Sequence, residues 1–198
     1  MSSEVIDKII EQHELWLDTG GEAGKKANFH GLVLKDMDLR DSDFQNIDFS
    51  DADLTGANLS RSNLQKANFQ MAKLKAVNLE RASLKEASLL IADLRSANLW
   101  YANLRYANLK EADLEKASLQ QTDIGNAILI GTNLIKANLM NASLVGACLE
   151  GANLCGAVLD HTDLSDAMLA NIIIGAKNLS KIPATLLDQY GNTFWVIE

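Results

Sequence analysis

From residue 27 to residue 181 an apolar side chain returns at every fifth position: Phe29, Leu34, Leu39, Phe44, Phe49, Leu54 and onward to Leu169, Ile174 and Leu179. All 31 positions of this series are Leu, Phe or Ile, and the position two before each is alanine in 20 of them. Between the two stands Asn, Asp or Ser in 24 of the 31 units, as in Ala52-Asp53-Leu54 and Ala97-Asn98-Leu99. A fixed internal period of this kind decides the architecture before any single helix or strand is assigned.

The number five excludes the two ordinary elements. A helix advances about 100° per residue, so every fifth side chain drifts about 140° around the cylinder and no single face could bury the series. A flat strand alternates with period two, so residues five apart point to opposite faces. The pattern therefore requires a chain that bends once per unit, with the alanine and leucine places, two apart in extended backbone, both pointing to a common axis. Each bend leaves three places outward: the polar residue between the inward pair and the two residues after the leucine. Such a coil cannot bury its leucines alone and must stack on its neighbours.

The tandem A-(D/N)-L-x-x units over residues 27–181 closely resemble the pentapeptide-repeat family. The resemblance implies an all-β fold, a right-handed quadrilateral parallel β-helix (solenoid) in which four units complete one square turn. Taken that way, the repeat forms about eight coils and a spire on the order of 37 Å tall, at about 4.8 Å per coil. The family also includes quinolone-resistance proteins that imitate duplex DNA and bind DNA gyrase, which offers an alternative function, a DNA-mimicking gyrase or topoisomerase modulator.

The ends depart from the beat. Val5, Ile6, Ile9, Ile10, His13, Trp16 and Leu17 recur at helical spacing, Glu4 and Asp7 suit a helix N-terminus, and Gly20-Gly21 supplies a stop. Residues 1–26 thus form a helical cap over the first coil, whose edge would otherwise be open. Leu32, Met37 and Ile47 near the start, and Ile172 and Lys177 near the finish, replace the inward alanine, as expected of terminal repeats. Pro183 marks the exit. Residues 182–198 are expected to form a C-terminal cap or dimerisation segment: a short helix near 183–189, a turn at Tyr190-Gly191-Asn192 and a closing strand. In several relatives this end forms a dimer, so Phe194 and Trp195 are candidate self-association residues.

The formal net charge of −8 argues against direct nucleic-acid or anionic-membrane binding. Grouped by side, the units through Phe29 and Leu109 carry −3, those through Phe44 and Leu64 carry −2, and the other two sides about +1 each. Acids are interleaved with lysines and arginines, unlike the spaced carboxylates a DNA mimic needs. No apolar run is long enough for a membrane span and the N-terminus lacks a secretory core, so a cytoplasmic protein is expected. Cys148 and Cys155 read as free thiols in a reducing compartment.

Chemistry is hard to find along the chain. His13, His30 and His161 have no metal-ligand spacing, no nucleophile motif or phosphate loop occurs, and no cofactor or enzymatic activity is expected. The outward places instead suggest a binding scaffold for an unidentified protein partner. Trp100, Tyr101, Arg105 and Tyr106 fall on one coil and belong to the residue types enriched in interface hot spots. One coil further on, Ile130, Ile135, Met140 and Val145 all follow the leucine and are expected to form an apolar belt, joined by Ile128, suited to self-association.

Overall fold

A computed structural model describes residues 3–183 and 195–197. Its body is a right-handed quadrilateral parallel β-helix in which residue n bridges residue n + 20, from Asn28↔Asp48 to Cys148↔Met168. Four quintets thus complete each coil. The leucine amide donates to the next coil, as from Leu79 to the Asn98 carbonyl at 2.7 Å, and the residue before it reaches the previous coil, as from Asn78 to the Ala57 carbonyl at 2.9 Å. Side 1 runs through Phe29, Phe49 and Leu109, side 2 through Leu34 and Leu114, side 3 through Leu39 and Leu99, and side 4 through Phe44 and Leu104.

The corners are tight turns closed by an i to i+3 bond, such as Ala102 N–H to the Leu99 carbonyl at 3.0 Å, except at Ser42, whose amide donates to Ser62 Oγ at 3.3 Å. The second residue after every leucine lies in the left-handed region at all positions from Gly31 (φ 66°) to Asn171 (φ 58°). This is the arrangement of a type II turn, which favours glycine or asparagine at that place. Most corners here carry other residues, including Ile91 at φ 58°, a β-branched side chain where such chains are strongly disfavoured. Because Ile91 is exposed and contributes nothing to the core, Ile91→Asn is expected to raise stability by about 0.5–1 kcal/mol, part of the usual left-handed penalty, read by chemical denaturation.

The core is one column-stacked interior. Every member of the fifth-residue series from Phe29 to Ile174 is no more than 3 % exposed. Phe29, Phe49 and Phe69 stack face to face at 5.2 and 5.0 Å, and Phe44 meets Phe49 edge-on at 5.4 Å. At three places where Ser or Thr replaces the inward alanine, the hydroxyl donates to a turn carbonyl of the previous coil: Ser62 to Leu39, Thr122 to Leu99 and Thr132 to Leu109. These hydroxyls are buried yet satisfied, as burial requires.

The register stops at Ile174. Leu179, the expected last member of the inward series, is exposed in a 3-10 helix over Ala176–Lys181, and Asn178 is buried instead, donating to the Ala157 carbonyl at 2.7 Å. Lys177 explains the change: a regular turn would drive its ammonium into the core, where an unpaired charge is very costly. Three short strands end the spire: β1 (Asn153–Leu154), β2 (Ile173–Gly175) and β3 (Trp195–Ile197), all parallel, with Ile173 opposite Trp195. The expected closing strand is therefore present. The helix near 183–189, the Tyr190-Gly191-Asn192 turn and Phe194 lie outside the described residues, apart from Pro183 itself.

At the other end, helix α1 (Ser3–Asp18) covers the first coil. Ile6 and His13 are fully buried, Ile9 and Ile10 pack on the core, and Val5, expected in the same stripe, is exposed. Gly24, at φ 74°, lies so close that a Cβ there would stand 2.3 Å from the Gln12 carbonyl, and Lys25 N–H bonds that carbonyl at 2.9 Å. His13 Nδ1 accepts the Ala27 amide at 3.2 Å, which places the ring proton on Nε2, a buried atom without a hydrogen bond among the described residues. Burial lowers the His13 pKa below its ordinary value, against the opposing pull of the Gln45 carbonyl and Asp43. Since the folded value lies below the unfolded one of about 6.5, the stability tied to neutral His13 is present above that pH and lost as pH falls through the folded value. Amide exchange in residues 3–18 is therefore expected to accelerate from pH 7.5 to pH 5 beyond the intrinsic rate change, and His13→Gln should flatten the dependence.

Candidate interaction surface

The outer wall is built on the polar residue between each inward pair. The side-chain oxygen of Asn98 accepts the Trp100 amide at 3.2 Å, that of Asn103 the Arg105 amide at 3.0 Å, and the same local bond recurs at Asn58, Asn78, Asn108 and Asn138. On side 3 the amides also run as a ladder, Asn98 donating to Asn78 at 3.0 Å and Asn78 to Asn58 at 3.2 Å. These groups fix the wall and leave the two positions after each leucine to face outward. Asn and Asp suit this place because their short side chains reach the backbone amide two residues on.

Several of the charges on this wall are paired. Arg61 makes two bonds to Asp41 at 2.7 and 2.5 Å, Arg95 holds Asp93 at 2.8 and 2.6 Å and stands 3.7 Å from Asp113, and Arg105 lies 3.4 Å from Asp123. Hydrogen bonds from Arg61 and Arg95 hold the Asp41 and Asp93 carboxyls below their usual range, and Lys181 does the same for Asp160. Among the described residues no group of His, Cys, Asp or Glu could hold a metal ion, and Cys148 and Cys155 are free. No described helix is long and apolar enough to cross a membrane.

Trp100, Tyr101 and Tyr106 are exposed at 42, 41 and 50 %, and Arg105 is half-buried. They occupy two corners rather than one cluster. Trp100 and Tyr101 stack at 5.1 Å with Arg81 of the previous coil 5.4 Å from the Tyr101 ring, while Arg105 lies 5.3 Å from the Tyr106 ring on the next corner. Tyr101 and Tyr106 are both left-handed, at φ 58° and 60°. The apolar belt is distributed differently from a patch: Ile130, Ile135, Met140 and Val145 fall one on each of the four sides, because successive quintets face about a quarter-turn apart. Of these only Met140 is exposed.

An apolar surface does exist, but it runs up one side instead of around one coil. On side 1 the wall residue changes from Asn108 to Ile128, Cys148 and Met168, with Ile128 bridged to Cys148 and Cys148 to Met168. Ile128 and Met168 are exposed, and Ile130 and Leu90 are half-buried beside that column. Reading every twentieth residue would have found this stripe.

The sequence profile described as Pentapeptide repeats matches in 8 copies between residues 25 and 171. The chain belongs to the pentapeptide-repeat family. No curated protein matches the chain in sequence. Among solved structures, a trypsin-treated variant of QnrB1, a plasmid-mediated fluoroquinolone resistance protein, is 17% identical, with 86% of each chain covered and a TM-score of 0.54. At that identity the likeness is one of fold. HetL, a pentapeptide repeat protein involved in heterocyst differentiation regulation from the cyanobacterium Nostoc sp. strain PCC 7120, is 27% identical, covering 81% of this chain and 94% of its own, with a TM-score of 0.33. Rfr23 from the cyanobacterium Cyanothece 51142 is 28% identical over 73% of this chain and 89% of its own, with a TM-score of 0.22. In this pentapeptide-repeat protein the interior is filled by packing residues, and the candidate contact residues stand on the outside of the coils.

Proposed function

We propose that this pentapeptide-repeat protein is a rigid, non-enzymatic scaffold that binds a protein partner in the cytoplasm through the corners carrying Trp100, Tyr101, Arg105 and Tyr106. The observation that supports this most is that Trp100, Tyr101 and Tyr106 stand exposed on successive corners of one coil, where the core gains nothing from their rings. Arg81 and Arg105, stacked on those rings, preorganise flat guanidinium and aromatic surface of the type that dominates interface energetics. The affinity is expected to come from these anchors, each contributing about 2 kcal/mol or more if it is a hot spot. Affinity capture with the intact protein, compared with Trp100→Ala and Tyr106→Ala, tests the assignment: the specific partner should be lost from both variants, and its retention by both would remove these corners from the site.

A DNA-mimicking gyrase modulator would need unneutralised carboxylates spaced along one side. Asp41, Asp93 and Asp123 instead face arginines. A supercoiling assay with excess protein is therefore expected to show gyrase unaffected, and inhibition or protection would reverse the order of the two readings.

A further inference from the structure

The outward columns of side 1 are self-complementary when one copy is inverted against another. In the place after the leucine, three consecutive coils carry Lys110, Ile130 and Glu150. Inverting a second spire about an axis through the Ile130 coil sets Ile130 on its own copy and Lys110 opposite Glu150 of the partner, twice over by symmetry. In the wall column the same operation puts Ile128 on Ile128 and Cys148 on Asn108. The other registers fail. An axis one coil higher opposes Glu150 to itself, one coil lower opposes Lys110 to itself, and a half-coil shift sets Lys110 against Ile130. Parallel packing opposes the two columns at equal height, so Glu150 meets Cys148.

From this we infer that side 1 docks an inverted second copy of this chain, with Ile130 on the two-fold axis and reciprocal Lys110–Glu150 pairs fixing the register. Lys110 now lies 3.6 Å from Glu111 of its own chain, and Glu150 has no ion pair among the described residues, so the partner's ammonium satisfies a carboxylate left open. The strip between the Leu90 and Ala170 coils is about 19 Å tall at about 4.8 Å per coil. At about 10 Å wide it offers on the order of 200 Å² per copy, well short of the about 800 Å² of a standard interface, so the dimer is weak and exchanges rapidly.

Sedimentation equilibrium of the intact protein from about 10 μM to about 1 mM at low salt reads this directly. Wild type should associate reversibly, Lys110→Glu and Glu150→Lys should each weaken association at least about fivefold, and the double exchange K110E/E150K should restore it. Ile130→Lys, checked for an unchanged melting profile, should remain a monomer. A wild type that stays monomeric throughout, single exchanges that behave as wild type, or a double exchange without recovery would each overturn the inference. So would a dimer indifferent to all of these and abolished by Trp195→Asp, which would place the contact on the C-terminal strand.

Discussion

Leu104→Asp is expected to leave little or no folded protein. Leu104 is fully buried at the middle of the spire, and its amide bonds the Asp123 carbonyl at 2.7 Å. Removing the side chain alone, as in Leu104→Ala, should cost about 2–5 kcal/mol. A carboxylate in the same space adds an unpaired charge, for which the interior provides no partner, so the total exceeds the about 5–15 kcal/mol that a domain of this kind has to lose. The loss is not confined to one coil, because each coil is held only by the one above and the one below. Circular dichroism and thermal melting of the soluble fraction should show a cooperative transition for Leu104→Ala and none for Leu104→Asp. A native-like melt of the aspartate variant would mean the interior is not the packed column described above.

Phe49→Ala has the second largest expected effect, about 3–5 kcal/mol. Phe49 is fully buried between the rings of Phe29 and Phe69 and meets Phe44 edge-on. Its removal opens a space that three other rings cannot fill without leaving their stacked geometry. Phe49→Leu keeps most of the buried area and matches the residue that occupies this column from Leu89 onward, so it should cost less than half as much. Denaturant unfolding distinguishes the two. Equal losses would show that ring stacking, and not volume, holds the first coils together.

The five-residue beat carried the fold: once period five excluded helix and strand, the inward column and the polar wall followed from the identities at three places per unit. The helical cap was equally plain from the Ile6, Ile9, Ile10 and His13 spacing, although Val5 turned outward. Two features were harder to read. Leu179 keeps the local pattern and yet leaves the core, because the burial of Lys177 two residues earlier is what the chain avoids, and that cost belongs to the coil and not to the quintet. The interaction surface was read along the chain, which groups residues by height: Ile130, Ile135, Met140 and Val145 are neighbours in sequence order but face four directions. The contiguous stripe of Ile128, Cys148 and Met168 is invisible at period five and plain at period twenty, a number that depends on how many bends close the square.

The uniform corner geometry has a bearing on how such a protein changes. Glycine, lysine, tyrosine and isoleucine all take up nearly the same dihedral at the corners, from Gly31 to Tyr106 and Ile91, so hydrogen bonding and not side-chain identity sets the path of the chain there. Recognition and architecture are thereby written in separate alphabets. A new specificity can be composed at the edges of the prism one letter at a time, while the axial stack that keeps it upright is left unread.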